Sequence, residues 1–291
     1  MIDVVVVGGI FREILDGDTN PRPRLAGSGL VAAIISARLG ANTALATFIG
    51  QEDAPTAVAM LDAAKVDASP VVTLPGASGT FVFPSEGSRP WPMYRPAEAI
   101  PAIAPNIPHA SVYVVFGMPD FDPIAEGWLQ KLPQDATLLW DRQGWLSRAR
   151  DHSAAAQLTP KGKIYLANED EALADFSAAS TQELISTLPP AGFRWAVVKR
   201  GRDGCVVVER TANGNSVDSA RGFPVETSDT IGSGDAFAGG LAARIADGVR
   251  LQEAVGGANA VASVFLKLGC DPLAPELPEA ARTLIETPTG S

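Results

Sequence analysis

The chain has 291 residues, of which 46% are hydrophobic, a formal net charge of −10 and two cysteines. That is enough apolar material for a large core at the upper edge of what one α/β domain holds. The acidity disfavours binding along a polyanion such as nucleic acid, and Cys205 and Cys270 are too few for a disulfide framework or a zinc site.

In chain order, Met1 to Gly9 reads as a buried strand and not as a signal segment, because no basic stretch precedes it. Its Val4–Val7 run has the pattern of a strand covered on both faces of a parallel sheet. Similar runs recur at Ala44–Ile49, Val112–Phe116, Leu138–Trp140, Ile164–Leu166, Ala196–Val198 and Cys205–Val208. Helical patterns lie between most of them, at Gly29–Leu39, Ala54–Ala64, Ile124–Lys131, Glu169–Phe176 and Thr181–Leu188. After Pro224 the chain turns helical over Ser233–Ala246, Leu251–Lys267 and Pro278–Ile285. Strands alternating with helices predict a three-layer α/β/α fold with a mainly parallel sheet. No run approaches the ~20 apolar residues that span a bilayer, so a cytoplasmic protein without a membrane partner is expected.

Two stretches break the rhythm. Asp16–Arg24 is rich in Pro, Asp and Arg, and Val71–Pro96 combines five prolines with a Gly-Thr-Phe-Val-Phe strand signal. They predict a small β lid, from about 11–25 and 71–97, on a single domain covering 1–291; ordinary surface loops are the alternative. His109 and His152 have no catalytic setting and read as surface residues, and no G-x-x-x-x-G-K-[ST] phosphate loop occurs.

The most informative segment runs from Asp229 to Gly240, Asp-Thr-Ile-Gly-Ser-Gly-Asp-Ala-Phe-Ala-Gly-Gly. Gly232 and Gly234 allow close backbone approach where a helix opens, so unpaired N–H groups converge at its positive end and form an anion site. Asp235, in the first turn, is placed to act as a base beside that anion. Taken alone, the same residues also make an N-cap and a tight turn with no chemistry.

The whole string resembles the signature of the ribokinase-like (PfkB) carbohydrate kinases, Asp-Thr-x-Gly-Ala-Gly-Asp-x-Phe-x-x-Gly, from which only Ser233 departs. The resemblance implies ATP-dependent phosphoryl transfer to a hydroxyl, with Asp235 as catalytic base and the backbone of Gly232, Ser233 and Gly234 as anion hole. It makes Asp229 a candidate for a monovalent cation such as potassium. Asn168-Glu169-Asp170-Glu171 resembles the family's Asn-x-x-Glu and implies a magnesium ion held by Asn168 and Glu171 through water; alone, these residues would cap a helix. Lys199, Gly201 and Gly204, in Lys-Arg-Gly-Arg-Asp-Gly, and Asn259, in Gly-Ala-Asn-Ala, fall where the family supports the nucleotide.

Upstream the resemblance weakens. The family's Gly-Gly-x-x-x-Asn aligns with Ala26-Gly27-Ser28-Gly29-Leu30-Val31, so its Asn is Val31, and Phe11 stands where ribokinases carry Asn. Glu13, Gly27, Ser28 and Asp141 remain as acceptor-site candidates, and the Asp-Arg-Gln-Gly stretch from Asp141 is similar to inositol-kinase-like members. The expected acceptor is a small sugar or polyol, including a cyclitol such as inositol. A nucleoside kinase and a catalytically idle nucleotide or sugar sensor are the alternatives, and a homodimer is compatible with the resemblance.

Overall fold

The computed structural model describes residues 1–15, 24–83, 93–97, 106–117, 132–141, 143, 162–227 and 229–286. The chain opens with β1 (Val4–Val7), β2 (Phe11–Leu15), β3 (Arg24–Ala26), α1 (Ser28–Arg38), β4 (Thr43–Gly50) and α2 (Ala54–Ala64). There follow β5 (Val71–Leu74), β6 (Thr80–Phe83), β7 (Met93–Arg95), β8 (Val112–Phe116), β9 (Thr137–Asp141) and β10 (Gly162–Asn168). The second half holds α3 (Glu169–Phe176), α4 (Thr181–Thr187), β11 (Trp195–Lys199), β12 (Cys205–Thr211), β13 (Gly214–Ala220), α5 (Ser233–Ala246), α6 (Leu251–Lys267) and α7 (Leu277–Glu286). The expected helix at Ile124–Lys131 and His152 lie outside the described residues, while His109 is exposed as expected.

Nine strands form one sheet in the order β13-β12-β11-β10-β9-β8-β1-β4-β5. Pairing is parallel from β5 to β11 and antiparallel from β11 through β12 to β13. β1 shows why its valines are continuous. Val5 and Val7 enter the apolar cluster on one face, with Tyr113, Val115 and Leu184. Val4 and Val6 enter the cluster on the other, with Leu30, Leu45, Phe237 and Val255. Alternate side chains of one strand thus supply two cores, which only a sheet covered on both faces requires. A third cluster joins α1, α5, α6 and α7, and Val31 is buried there beside Ile35, Ala236 and Phe265. The position where the resemblance expects a substrate-binding Asn is therefore used for helix packing.

The second sheet is four-stranded, in the order β3-β2-β6-β7. Its strands fall within or beside the expected lid segments, of which 16–23 and 84–92 lie outside the described residues; the boundary is corrected, because Val71–Leu74 pairs in parallel with β4 and belongs to the main sheet. Arg12 ties the small sheet to the turn after β4. Its guanidinium bonds Asp53 and Glu52, each at 2.8 Å, and Asp53 also accepts the Ser78 N–H at 2.9 Å.

Small residues set the helix spacing. A Cβ on Gly239 in α5 would lie 2.4 Å from the Ala32 carbonyl oxygen in α1, whereas one on Gly256 in α6 would meet nothing within 4 Å. Gly239→Ala is therefore expected to destabilise by about 1–3 kcal/mol through overpacking, and Gly256→Ala to stabilise by about 0.5–1 kcal/mol through helix propensity. Denaturant unfolding of the two variants checks the opposite signs.

Candidate active site

Parallel strands deliver their carboxyl ends to one edge of the sheet, and open α/β sheets bind ligands at that edge. Asp141 ends β9, Asn168 ends β10 and Lys199 ends β11. Glu171 lies in the first turn of α3 and Asp235 in the first turn of α5. Gly27 and Ser28 open α1, and Glu13 lies on β2 of the small sheet.

These residues meet around a cavity of about 260 Å³, whose wall includes Glu13, Ser28, Asp141, Glu171, Lys199 and Asp235. A second cavity of about 790 Å³ runs past Arg200, Gly201 and Gly204 to α6. Asn168, Lys199, Thr230, Ser233 and Gly234 line both. The two spaces thus share a wall made of the α5 start and the end of β11.

The Lys199 ammonium donates to Asp141 Oδ2 at 2.7 Å, and the two side chains are 10% and 3% exposed. Burial works against the ammonium, but Asp141, Glu171 and Asp235 around it outweigh that and raise its pKa. Lys199 lines both cavities with its charge paired to Asp141, whose other oxygen, Oδ1, accepts the Gln143 N–H at 3.4 Å. Asp235 accepts a hydrogen bond from Gln143 Nε2 at 3.1 Å. Burial, then the charge of Asp141, push the Asp235 carboxyl up to about 8 against the opposing pull of Lys199. Glu171 is buried and accepts the Asn168 N–H at 2.9 Å; burial raises its pKa and Lys199 opposes the rise.

The anion site is partly built. Gly232 caps α5 with φ 82°, a left-handed conformation that glycine adopts without strain. A Cβ on Gly234 would lie 3.3 Å from Lys199 Nζ, so the missing side chain lets the lysine reach the helix start. The Ser233 N–H closes a turn on the Thr230 carbonyl at 3.2 Å, while the N–H groups of Gly234 and Asp235 make no backbone bond among the described residues. Of the three expected anion-hole residues, Ser233 is thus engaged in a turn.

Other expected residues are placed less directly. Glu13 is bound by Arg24 at 2.7 Å across the β2–β3 pair, so its carboxylate is already paired. The Ser28 hydroxyl is buried without a hydrogen-bond partner among the described residues, in the wall of the smaller cavity. Asp229 lines neither cavity; its Oδ1 accepts the Ile231 N–H at 2.9 Å and shapes the loop. Asn259 lines the larger cavity with its amide engaged on both sides.

Sequence reasoning missed Gln143, held at φ 46°, and the roles of Phe11, Phe81 and Phe83 as a cavity wall. Phe11 and Phe81 meet edge to face, with centroids 4.7 Å apart, and Phe83 lies 6.3 Å from Phe81. The Asp-Arg-Gln-Gly stretch was the only local signal for Gln143.

Three comparisons bear on this site. A family profile described as pfkB family carbohydrate kinase matches residues 137–271, which contain Asp141, Asn168, Lys199 and the Asp229–Gly240 segment. The comparison with curated protein sequences gives no match. Among solved structures, the chain is similar to ribokinase from Cryptococcus neoformans var. grubii serotype A in complex with ADP, at 16% identity, TM-score 0.73 and 97% coverage of both chains. It is also similar to a Vibrio cholerae O395 fructokinase double mutant in its fructose, ADP and potassium ion bound form, at 17% identity and TM-score 0.77, covering 98% of this chain and 99% of that one. A Burkholderia thailandensis nucleoside kinase in complex with inosine matches at 18% identity and TM-score 0.76, covering 99% of each. The fold is therefore ribokinase-like. The signature lies inside the profile match, so residues 137–271, a little under half of the chain, are similar to the PfkB carbohydrate kinases. No helix among the described residues is long and apolar enough to cross a membrane.

The raised Asp235 pKa has a consequence for stability. Between the ordinary aspartate value near 4 and about 8, the folded chain retains a proton that the unfolded chain releases. Stability contributed by this group therefore falls as pH rises through that window. Asparagine stays neutral, so the melting temperature of Asp235→Asn relative to wild type should increase from pH 5 to pH 8 in ligand-free protein. Thermal scans at the two pH values test it; a difference that stays constant contradicts the placement of the carboxyl.

Proposed function

We propose that the chain is an ATP-dependent kinase that phosphorylates a hydroxyl of a small sugar-like acceptor. The observation that carries this reading is the wall shared by the two cavities, beside which one half-buried carboxyl, Asp235 in the smaller cavity, stands next to the open N–H groups of a helix start. Phosphoryl transfer needs in-line positioning, charge stabilisation and a group to receive the hydroxyl proton. In this reading the acceptor occupies the smaller cavity and ATP the larger. Asp235 takes the hydroxyl proton as the acceptor oxygen bonds to the γ-phosphorus, and the bond to the β-phosphate oxygen breaks to release ADP. A carboxyl pKa raised toward neutrality is matched to that task. The Gly234 and Asp235 N–H groups, with the α5 dipole, stabilise charge on the transferred group.

The donor set also speaks to magnesium. Among the described residues no cluster of three or more His, Cys, Asp or Glu forms a metal cage. One buried carboxylate and one amide, Glu171 and Asn168, fit a hydrated cation that arrives with the nucleotide phosphates, whose charge it would offset. Potassium binding near Asp229 is part of the proposal only by analogy with the potassium-bound fructokinase.

The acceptor class divides on one observation. Glu13 and Asp141, the carboxylates that favoured a polyol or cyclitol, are both ion-paired. The Phe11–Phe81–Phe83 wall instead favours an acceptor with a flat apolar face, as in a nucleoside, whose ring packs on aromatic edges. The Ser28 hydroxyl would then pair with an acceptor hydroxyl.

Two measurements test the reading. Asp235→Asn should lower kcat by at least about 10²-fold with ADP affinity little changed; turnover near the wild-type rate refutes the base. ATP consumption against a panel of sugars, polyols and nucleosides should reveal an acceptor, and Phe81→Leu should raise the KM of a nucleoside acceptor about tenfold, a loss of roughly 1.4 kcal/mol of aromatic contact. Ligand binding without turnover across the whole panel would instead identify a sensor.

A further inference from the structure

We infer that the larger cavity accepts a purine nucleotide without reading the identity of its base, so that adenine, guanine and hypoxanthine nucleotides bind with similar affinity. The inference rests on the nucleotide reading of that cavity. Its α6 wall carries two buried polar side chains, Asn259 at 8% exposure and Ser263 at 4%. Both are already engaged. The Asn259 Oδ1 accepts from the Cys205 thiol at 3.1 Å, and its Nδ2 donates to the Arg221 carbonyl at 3.0 Å. The Ser263 hydroxyl donates to the Phe223 carbonyl at 2.7 Å. These bonds clamp the segment after β13 onto α6 and give each of these groups a partner within the protein, so none depends on the base for its only hydrogen bond.

What remains beside them is apolar: Phe223, Val225, Ala262 and Leu266. The other polar side chains on this wall are exposed or occupied. Glu226 is exposed, and the Thr227 hydroxyl bonds both backbone groups of Asp229. Arg200 pairs with Glu169 at 3.2 Å. A site rejects an analogue strongly when its buried polar groups are left unpaired by the wrong ligand. Here those groups are satisfied by the protein itself, so exchanging the 6-amino group of adenine for a carbonyl leaves nothing newly unpaired. Asn259 and Ser263 are thus positioning residues that shape the cavity.

Direct binding tests this without any acceptor. Isothermal titration of the full chain with ADP, GDP and IDP, magnesium present, should give dissociation constants within tenfold of one another. A preference for ADP greater than tenfold overturns the inference. Failure of all three to bind at millimolar concentration removes the nucleotide reading and the inference with it. Ser263→Ala and Asn259→Ala should lower the melting temperature while leaving the ADP/GDP ratio within the same tenfold. A larger change of ratio in either folded variant would show that the side chain reads the base.

Discussion

A single buried cation organises this site. Lys199 reaches from the end of β11 across β10 to Asp141 at the end of β9, and Glu171 and Asp235 complete a set of three carboxyl groups around its ammonium. Removing one partner of a buried ion pair commonly costs about 3–5 kcal/mol, because the other charge is left without compensation. The pair therefore constrains everything near it. It fixes the relative heights of two strand ends, brings the lysine to 3.3 Å from where a Cβ on Gly234 would lie, and keeps Asp235 beside a negative neighbour. The raised Asp235 pKa follows first from burial and then from the charge of Asp141.

The same constraint separates the two cavities. Lys199 and Gly234 stand in the wall common to both, so the groups at the α5 start face both spaces. The smaller cavity is lined differently from what the sequence resemblance implies. Its expected amide position is a packing valine, its acidic residues are paired, and an aromatic wall and an unpaired serine hydroxyl face the space instead. The larger cavity is bounded by the turn after β11, where Gly201 and Gly204 are both at positive φ.

Much of the fold was readable from local pattern. The helices at Ala54–Ala64, Glu169–Phe176, Ser233–Ala246 and Leu251–Lys267 have the expected bounds because apolar periodicity and end signals agree there. β13 was missed because its Asn-Ser-Val-Asp-Ser centre is exposed and polar, without the alternation that marks a half-buried strand. In sequence, Val71–Leu74 has the character of lid because the prolines that follow it dominate the local signal, yet it completes the edge of the main sheet. In the site, the Asp229–Gly240 segment was legible because its residues are consecutive. The Lys199–Asp141 pair and the Gln143–Asp235 bond join residues 58 and 92 positions apart, and nothing local encodes which partner each finds.

The ionisation of Asp235 is the most direct test, because it depends at once on burial, on Asp141 and on Lys199. Carbon-13 NMR titration of the aspartate carboxyls in ligand-free protein, assigned by Asp235→Asn, reads it without turnover or an acceptor. A midpoint near pH 8 in the wild type, moving downward in Asp141→Asn, is the expected result. A midpoint within the ordinary aspartate range around 4, unmoved by loss of Asp141, would contradict the arrangement of charges on which the site depends.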